Sequence, residues 1–396
     1  MRSVSGSPPT VNAQVGDTPQ AALVTTVGPR YGTWSLADLI PSAIAALDVP
    51  GWSNPLGLPT VDSCVVFLID GLGWRLLLDN ADEAPYLSSL IAGTRPLTTG
   101  VPSTTATSLT CLGTGLSPGA HGVVGATCRI PGTERLLNAL HWETTKVDPW
   151  EWQAHETAFG RAAKAGLAVS VVSKREFARS GLTQASQRGA SFVGADSIGE
   201  RIFATARAAA QPLSLTYLYD GDLDGTGHRS GSASWAWRYQ LAMVDSFAAT
   251  LRDALPEDTS LIVTGDHGMV DVDSTSRIDV DHEAGLMEGV NLFGGEARFR
   301  HLYCDSGAVQ GVSARWRERL GDAGVVRTRD EAIAEGWFGP VDPQVRPRLG
   351  DVMVACLGTV AVVSSERFPR EAKLVGMHGS LTPNEMLVPL LVDPAR

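Results

Sequence analysis

This sequence predicts an α/β fold with a central, mostly parallel sheet and helices on both faces. Three observations carry that reading. Short, nearly continuous apolar runs recur at wide intervals, which suits strands covered on both faces. Between several of them lie segments with helical periodicity, and strands alternating with helices imply a layered sheet. The ends of several runs break into Gly-softened Asp or Asp-His sequences, at the place where open α/β sheets collect their ligands.

In chain order, MRSVSGSPPTVNAQVGDTPQ has a single early Arg and no apolar segment, so it does not read as a secretory signal. Residues 1–28 are expected to be a tail, and 29–396 one folded domain. The ordered part is expected near Trp34. Ser35 followed by Asp38 marks a helix start, and SLADLIPSAIAAL continues it despite Pro41. Strands are expected at CVVFLI (64–69), AVSVV (168–172), SLTYLY (214–219), SLIVT (260–264), TVAVVS (359–364) and MLVPLLV (386–392). Trp237, Leu241, Val244, Ala248, Leu251 and Leu255 fall on one face of a helix. From about 271 to 350, Gly, Asp and Arg interrupt the rhythm, which predicts an insertion or cap.

The 396 residues are 43% hydrophobic and 19% charged, an ordinary globular balance that excludes disorder, collagen and a small disulfide scaffold. The formal charge is −11, from 43 acidic against 32 basic residues, and no dense Lys/Arg cluster offers a nucleic-acid groove. Cys64, Cys111, Cys128, Cys304 and Cys356 are odd in number and far apart, which argues against a disulfide framework and suits a reducing cytoplasm. No apolar run approaches the roughly 18 residues of a membrane span. The expected location is therefore cytoplasmic, with no membrane partner.

The chemistry lies after the apolar runs. CVVFLI is followed by Asp70 in IDGLG. SLTYLY is followed by DGDLDGTGHRSG, which sets Asp224 four residues before His228. SLIVT is followed by GDHGM, with Asp266 beside His267, and a late GMHGS supplies His378. Three Asp and three His suit zinc, at ligand distances near 2.0–2.2 Å, with manganese or another transition metal as an alternative. Each residue also has an ordinary use. An Asp at a strand end is often a turn or cap residue. For Asp70 alone that use is the commoner one, and for the other two pairs the uses weigh evenly. Repetition at three strand ends decides for a metal site. GVPSTTATSLTCLGTGLSPGAHG (100–122) adds a hydroxyl-rich run in which Ala106–Leu112 can begin a helix, where the dipole favours an alkoxide or a phosphate. Ser103, Thr104, Thr105, Thr107 and Ser108 all compete there, and plain helix capping is the commoner local explanation.

The order of these motifs is Asp-Gly after the first strand, P-S-T-T ahead of TGLxPxxHG, then D-x-x-x-H, D-H-G-M and a late H-G. It resembles the nucleotide pyrophosphatase/phosphodiesterase (type I phosphodiesterase) family of the alkaline phosphatase superfamily, over roughly residues 65 to 380. The resemblance implies an alkaline-phosphatase-like layered sandwich and a hydrolase of phosphodiester or nucleotide pyrophosphate bonds. It places the nucleophile at Thr105, three residues after Pro102, acting through a phosphothreonine intermediate. It implies two divalent cations, most simply zinc: one held by Asp70, Asp266, His267 and the Thr105 oxygen, the other by Asp224, His228 and His378. His121 matches a family position and is read as structural. Many relatives carry an Asn three residues past the nucleophile; here Ser108 stands in that place, so a hydroxyl or a backbone N–H is left for the oxyanion contact. No phosphate-binding Arg of the monoesterase kind is evident, which tilts the reading to diesters. The implied partner is a small phosphate ester or nucleotide. The alternatives are a phosphomonoesterase or phosphonate hydrolase of the same superfamily, and a non-catalytic phosphate- or nucleotide-binding protein, which would be expected to have lost ligands.

Trp142, Trp150 and Trp152, and likewise Trp74, Tyr217 and Tyr219, have the chemistry to stack on a nucleobase, but packing is the commoner use of large aromatics. His282 in IDVDHEAG and His301 in FRHLYC are read as structural.

Overall fold

Seven consecutive buried residues, Ser63–Ile69, organise the architecture. The computed structural model describes residues 26–396, so the expected tail over 1–28 falls, up to residue 25, outside the described residues. The central sheet is built from β1 (Ser63–Ile69), β2 (Ala168–Ser173), β3 (Ser191–Gly194), β4 (Ser214–Asp220), β5 (Thr259–Thr264) and β6 (Leu390–Asp393), in the spatial order β6-β5-β1-β4-β2-β3. All neighbours pair in parallel except β6, which runs antiparallel to β5.

The period-2 alternation of β1 explains the layers. Cys64, Val66 and Leu68 pack with helix α1 (Leu39–Ala46) and with Leu109 and Leu112 of helix α2 (Thr105–Thr114). Val65, Phe67 and Ile69 face the other way, with Leu241, Val244, Phe247 and Leu251 of the long helix that follows the short helix α3 (Asp222–Ser230). That long helix is α4 (Trp235–Ala254), and the Phe67 and Phe247 rings lie 4.8 Å apart. Each such side chain contributes about 1.5–3 kcal/mol on burial. The expected start at Ser35 is present: Asp38 Oδ2 accepts from the Ser35 N–H (2.8 Å) and hydroxyl (2.7 Å). A 3-10 turn, Leu36–Asp38, precedes α1, and Pro41 sits in the first turn of α1, where its missing N–H costs little.

Three expected details differ. Ala361–Val363 is a strand, but it pairs with Arg277–Asp279 in a separate ladder rather than joining the central sheet. The 386–392 run is split around Pro389, which has no N–H for a ladder: Leu387–Val388 pairs with Leu97–Thr98, and β6 continues alone on the sheet edge. β3 carries no apolar run because it is a short, half-exposed edge strand. The stretch 290–356 holds a second, antiparallel sheet of Val290–Glu296, Phe299–Cys304, Val352–Cys356 and Gly324–Thr328 in that order. No helix among the described residues is long and apolar enough to cross a membrane.

β1 sits between β4 and β5, so the carboxyl ends of the three lie side by side. The Asp70 N–H donates to Asp220 O (2.8 Å) just beyond the paired strands. A buried clamp steadies the same end. Arg298 grips Glu385 through two bonds (2.8 and 2.7 Å), and Glu385 also accepts from the Ser380 N–H (3.0 Å), while its carbonyl accepts from the Gly268 N–H (2.9 Å). Glu385 therefore ties the turn after His378 to the turn after His267. Arg298→Leu leaves that carboxyl buried without its cation and is expected to lower stability by about 3–5 kcal/mol. Urea unfolding measures it, and a loss below about 1 kcal/mol, the scale of an exposed pair, contradicts the clamp.

Candidate active site

Asp70 leaves β1 into a tight turn, and Gly71 is required there on two counts. Its φ is +76°, and a Cβ would lie 3.0 Å from Asp224 Cβ. Asp266 and His267 leave β5 beside it. The Asp266 Oδ1 accepts from the Gly71 and His267 N–H groups, both at 3.0 Å, and turns Oδ2 inward. Ligand atoms of Asp70, Asp266 and His267 lie within 4.8 Å of one another, all buried. A second group with the same spacing comprises Asp224 and His228, one turn apart on α3, and His378. The groups adjoin: the His267 and His378 rings stack at 3.5 Å.

Near Asp224 the sequence offers two other carboxylates, and both are engaged. Asp220 pairs with the buried Arg201, and Asp222 with Lys174 (2.7 Å). Asp224 alone faces the histidines, with His228 Nε2 at 3.2 Å from Oδ2.

All three histidines are oriented alike. Nδ1 of His267 meets Gly268 O (3.0 Å), that of His228 meets Gly376 O (2.7 Å), and that of His378 meets Ser103 O (3.0 Å). A carbonyl only accepts, so each Nδ1 carries a proton, and in the neutral ring the Nε2 lone pair faces the site. His228 and His378 Nε2 face each other at 3.3 Å, and, against burial, Asp224 holds the His228 pKa above its usual value. Asp70 Oδ1, Asp224 Oδ1 and Asp266 Oδ2 are buried without a hydrogen-bond partner. Burial, then the carboxylates of Asp266 and Asp224, pushes the Asp70 carboxyl well above its usual range, and burial raises Asp266 also. Against burial, His228, His378 and His267 hold Asp224 below its usual range, while burial and the neighbouring imidazoles hold His378 well below its own. Lone pairs and orphaned oxygens converging in a buried space are what bound cations relieve. These six residues therefore fit a metal centre, with the Nδ1–carbonyl bonds as the outer contacts that orient imidazole ligands.

Of the five competing hydroxyls, Thr105 reaches both Asp70 Oδ2 (3.5 Å) and His267 Nε2 (3.1 Å). It is the first residue of α2, whose opening N–H groups have no intrahelical acceptor. Ser103 donates to Ser380 O (2.7 Å). Ser108 sits 2.5 Å from Thr99 Oγ1, which itself donates to Asp266 O, so the Ser108 proton is directed at Thr99. The Ser108 hydroxyl is thus committed, and the N–H groups at the start of α2, with the Thr104 hydroxyl in the cavity wall, are the donors left beside Thr105.

Two cavities meet at Thr105 and Asp224. A lobe of about 310 Å³ is lined by Leu109, Leu140, Phe177 and Tyr219, and one of about 600 Å³ by His228, His378, Glu296, Arg367 and Arg370. Neither is lined by a tryptophan. Trp142 and Trp152 are buried edge to face (6.4 Å), and Trp150 is exposed beside Arg188. Trp74 and Tyr217 pack in the core clusters. His121 is buried, with burial holding it near 3, and its Nδ1 accepts from the Val123 N–H (3.1 Å). His301 bridges Val124 O and the Gly350 N–H, and His282 pairs with Asp279 on the surface. Tyr219 is the contact that sequence reasoning missed: its hydroxyl donates to Asp70 Oδ2 at 2.5 Å. Its only signal is its place at the carboxyl end of the strand beside Asp70.

Residues 64–381 match the family described as type I phosphodiesterase / nucleotide pyrophosphatase. The chain belongs to that family. Among curated proteins, human ectonucleotide pyrophosphatase/phosphodiesterase family member 7 is 40% identical over 68 residues, which is 16% of this chain and 15% of that one. Among solved structures, the fold is that of murine ectonucleotide pyrophosphatase/phosphodiesterase 5 in an inactive threonine-to-alanine form with AMP, at a TM-score of 0.67 and 16% identity, covering 84% of this chain and 88% of that one. The human counterpart gives 0.66 and 16% over the same shares. The fold is thus the family's alkaline-phosphatase-like sandwich, with a mostly parallel sheet.

Tyr219→Phe removes one hydrogen bond from Asp70 and nothing else. It is expected to weaken divalent-cation affinity about tenfold, on the scale of lost outer contacts. Chelator competition measures this, and unchanged affinity contradicts a role for Tyr219 in setting Asp70.

Proposed function

We propose that this protein hydrolyses phosphodiester or nucleotide pyrophosphate bonds, with Thr105 as nucleophile and a phosphothreonine intermediate. The observation that carries the reading is the position of Thr105: it opens α2, reaches Asp70 and His267 of one residue cluster, and shares a cavity wall with the other. Family membership supports the reaction class. The inactive threonine-to-alanine form of the murine neighbour, in complex with AMP, supports a threonine and a nucleotide.

Asp70, Asp266 and His267, together with the Thr105 oxygen, would hold one divalent cation, and Asp224, His228 and His378 the other; zinc suits this nitrogen and oxygen set, with manganese as the alternative. Such cations lower the pKa of a hydroxyl and offset the charge of an incoming phosphoryl group. The chain supplies the rest. α2 presents the Thr105 oxygen from a rigid helix start, and its free N–H groups lie where negative oxygens develop. Tyr219 fixes Asp70, and the backbone carbonyls of Gly268, Gly376 and Ser103 fix the three imidazoles. In-line attack by Thr105 Oγ1 on phosphorus joins that oxygen to the phosphoryl group and expels the leaving alcohol or phosphate. Water then cleaves the new ester and restores the hydroxyl. The imidazoles, spent on orientation and ligation, serve no general-base role.

Diesters are favoured because two lobes adjoin at Thr105, which leaves room for a substituent on either oxygen of a diester. Bis-p-nitrophenyl phosphate is expected to exceed p-nitrophenyl phosphate in kcat/KM by about tenfold or more, about 1.4 kcal/mol of transition-state binding; the reverse order would make this a monoesterase. Thr105→Ala is expected to lower turnover about 10³-fold or more while metal content and unfolding midpoint persist. Turnover near the parent level in that variant removes Thr105 as nucleophile.

A further inference from the structure

The two lobes differ in charge, and that difference selects a substrate. The smaller lobe has no Lys or Arg in its wall; Phe177 and Tyr219, edge to face at 6.0 Å, line it with Leu109 and Leu140. It suits an uncharged, flat group. The larger lobe carries Arg367 and Arg370, three residues apart in the segment that leads into the 3-10 turn Glu371–Lys373.

We propose that the larger lobe binds an anionic half of the substrate, a phosphate or pyrophosphate group, through Arg367 and Arg370. The inference rests on the hydrolase reading above and names the substrate class: compounds whose second half carries negative charge.

Both arginines are exposed, and among the described residues neither guanidinium has a carboxylate partner. The other charges in the wall do not cancel them. Glu371 is spent on the buried Arg300 at 3.0 Å. Glu296 is 8% exposed, its Oε2 accepts from the Ala126 N–H (2.8 Å), and its Oε1 has no partner. Burial, opposed by that N–H, pushes the Glu296 carboxyl up to about 8, so near neutrality it adds little negative charge to the wall. Asp224 belongs to the metal-fitting cluster. The segment bearing the arginines is anchored rather than loose. Phe368 lies between them in sequence, its ring is 6.3 Å from Phe293, and the Arg300 guanidinium is 5.4 Å from it. The Phe368 N–H donates to Ser364 O (2.9 Å), and Glu371 is fixed by Arg300. Two guanidiniums on a braced segment, lining the same cavity as a cluster that fits cations, frame a space for a multiply charged anion.

Thymidine 5′-triphosphate and thymidine 5′-(p-nitrophenyl) phosphate share their nucleoside and differ in the second half, which makes them the probes. The ratio of their kcat/KM values is measured for the metal-loaded protein and for Arg367→Gln/Arg370→Gln. It is expected to fall about tenfold or more in the double variant, the scale of lost charge-assisted contacts. The fall should come chiefly through KM and shrink at high salt, as screened contacts do. A ratio that stays within about twofold, below the scale of one such contact, overturns the assignment of the two arginines. Failure of the parent protein to cleave either compound overturns the hydrolase reading itself, so the two failures are distinguishable.

Discussion

Asp70 and Asp266 bring two carboxyl groups into one buried place, Asp224 adds a third at its edge, and each keeps an oxygen with no hydrogen-bond donor. Three imidazole nitrogens join them with their lone pairs turned inward, two of them 3.3 Å apart. Burying such groups without compensation costs several kcal/mol for each charge, which is why buried acids otherwise neutralise or pair with a base. Arg201 and Lys174 stand close by, yet they pair with Asp220 and Asp222 and leave the cluster alone. The fold thus withholds side-chain cations from a place whose electrostatics call for positive charge. Every feature of the proposed chemistry follows from that constraint.

The scaffold serves it by topology. Parallel pairing of β1 with β4 and β5 gathers three strand ends that are up to about two hundred residues apart in sequence. Close backbone approach then brings the turns together: Gly71 lies against Asp224, and a Cβ on Gly73 would meet Gly268 Cα at 2.7 Å. The last ligand, His378, comes from outside the central sheet, and the Arg298–Glu385 clamp reaches from the second sheet to hold its turn. Precision at the site therefore rests on a buried clamp whose polar atoms are all engaged, beside a centre whose oxygens are not.

Much of this was legible in the residues. Strand ends that read Asp-Gly and Asp-His at three separate places already point to one pocket, because parallel strands share a carboxyl edge. Ser35 and Asp38 announce a capped start, and the stripe from Trp237 to Leu251 announces α4. What resisted reading is long-range. The hydrophobicity of 361–363 is that of a central strand, and nothing local says which sheet it joins. Pro389 breaks a run that composition alone makes continuous. Tyr219 looks like any strand aromatic until the register sets it beside Asp70. Among the five hydroxyls at 103–108, only the three-dimensional partners show that Ser103 and Ser108 are committed elsewhere. Glu296, Arg367 and Arg370, which complete the wall of the larger cavity, come from segments without a motif, so no pattern in the chain announces them.

Elemental analysis of the purified protein, with turnover followed during dialysis against a chelator, decides whether cations fill the cluster. Two divalent ions per chain are expected, with loss of turnover as they leave and recovery when zinc or manganese returns. Undiminished hydrolysis by a chain carrying less than a trace of metal would contradict that expectation.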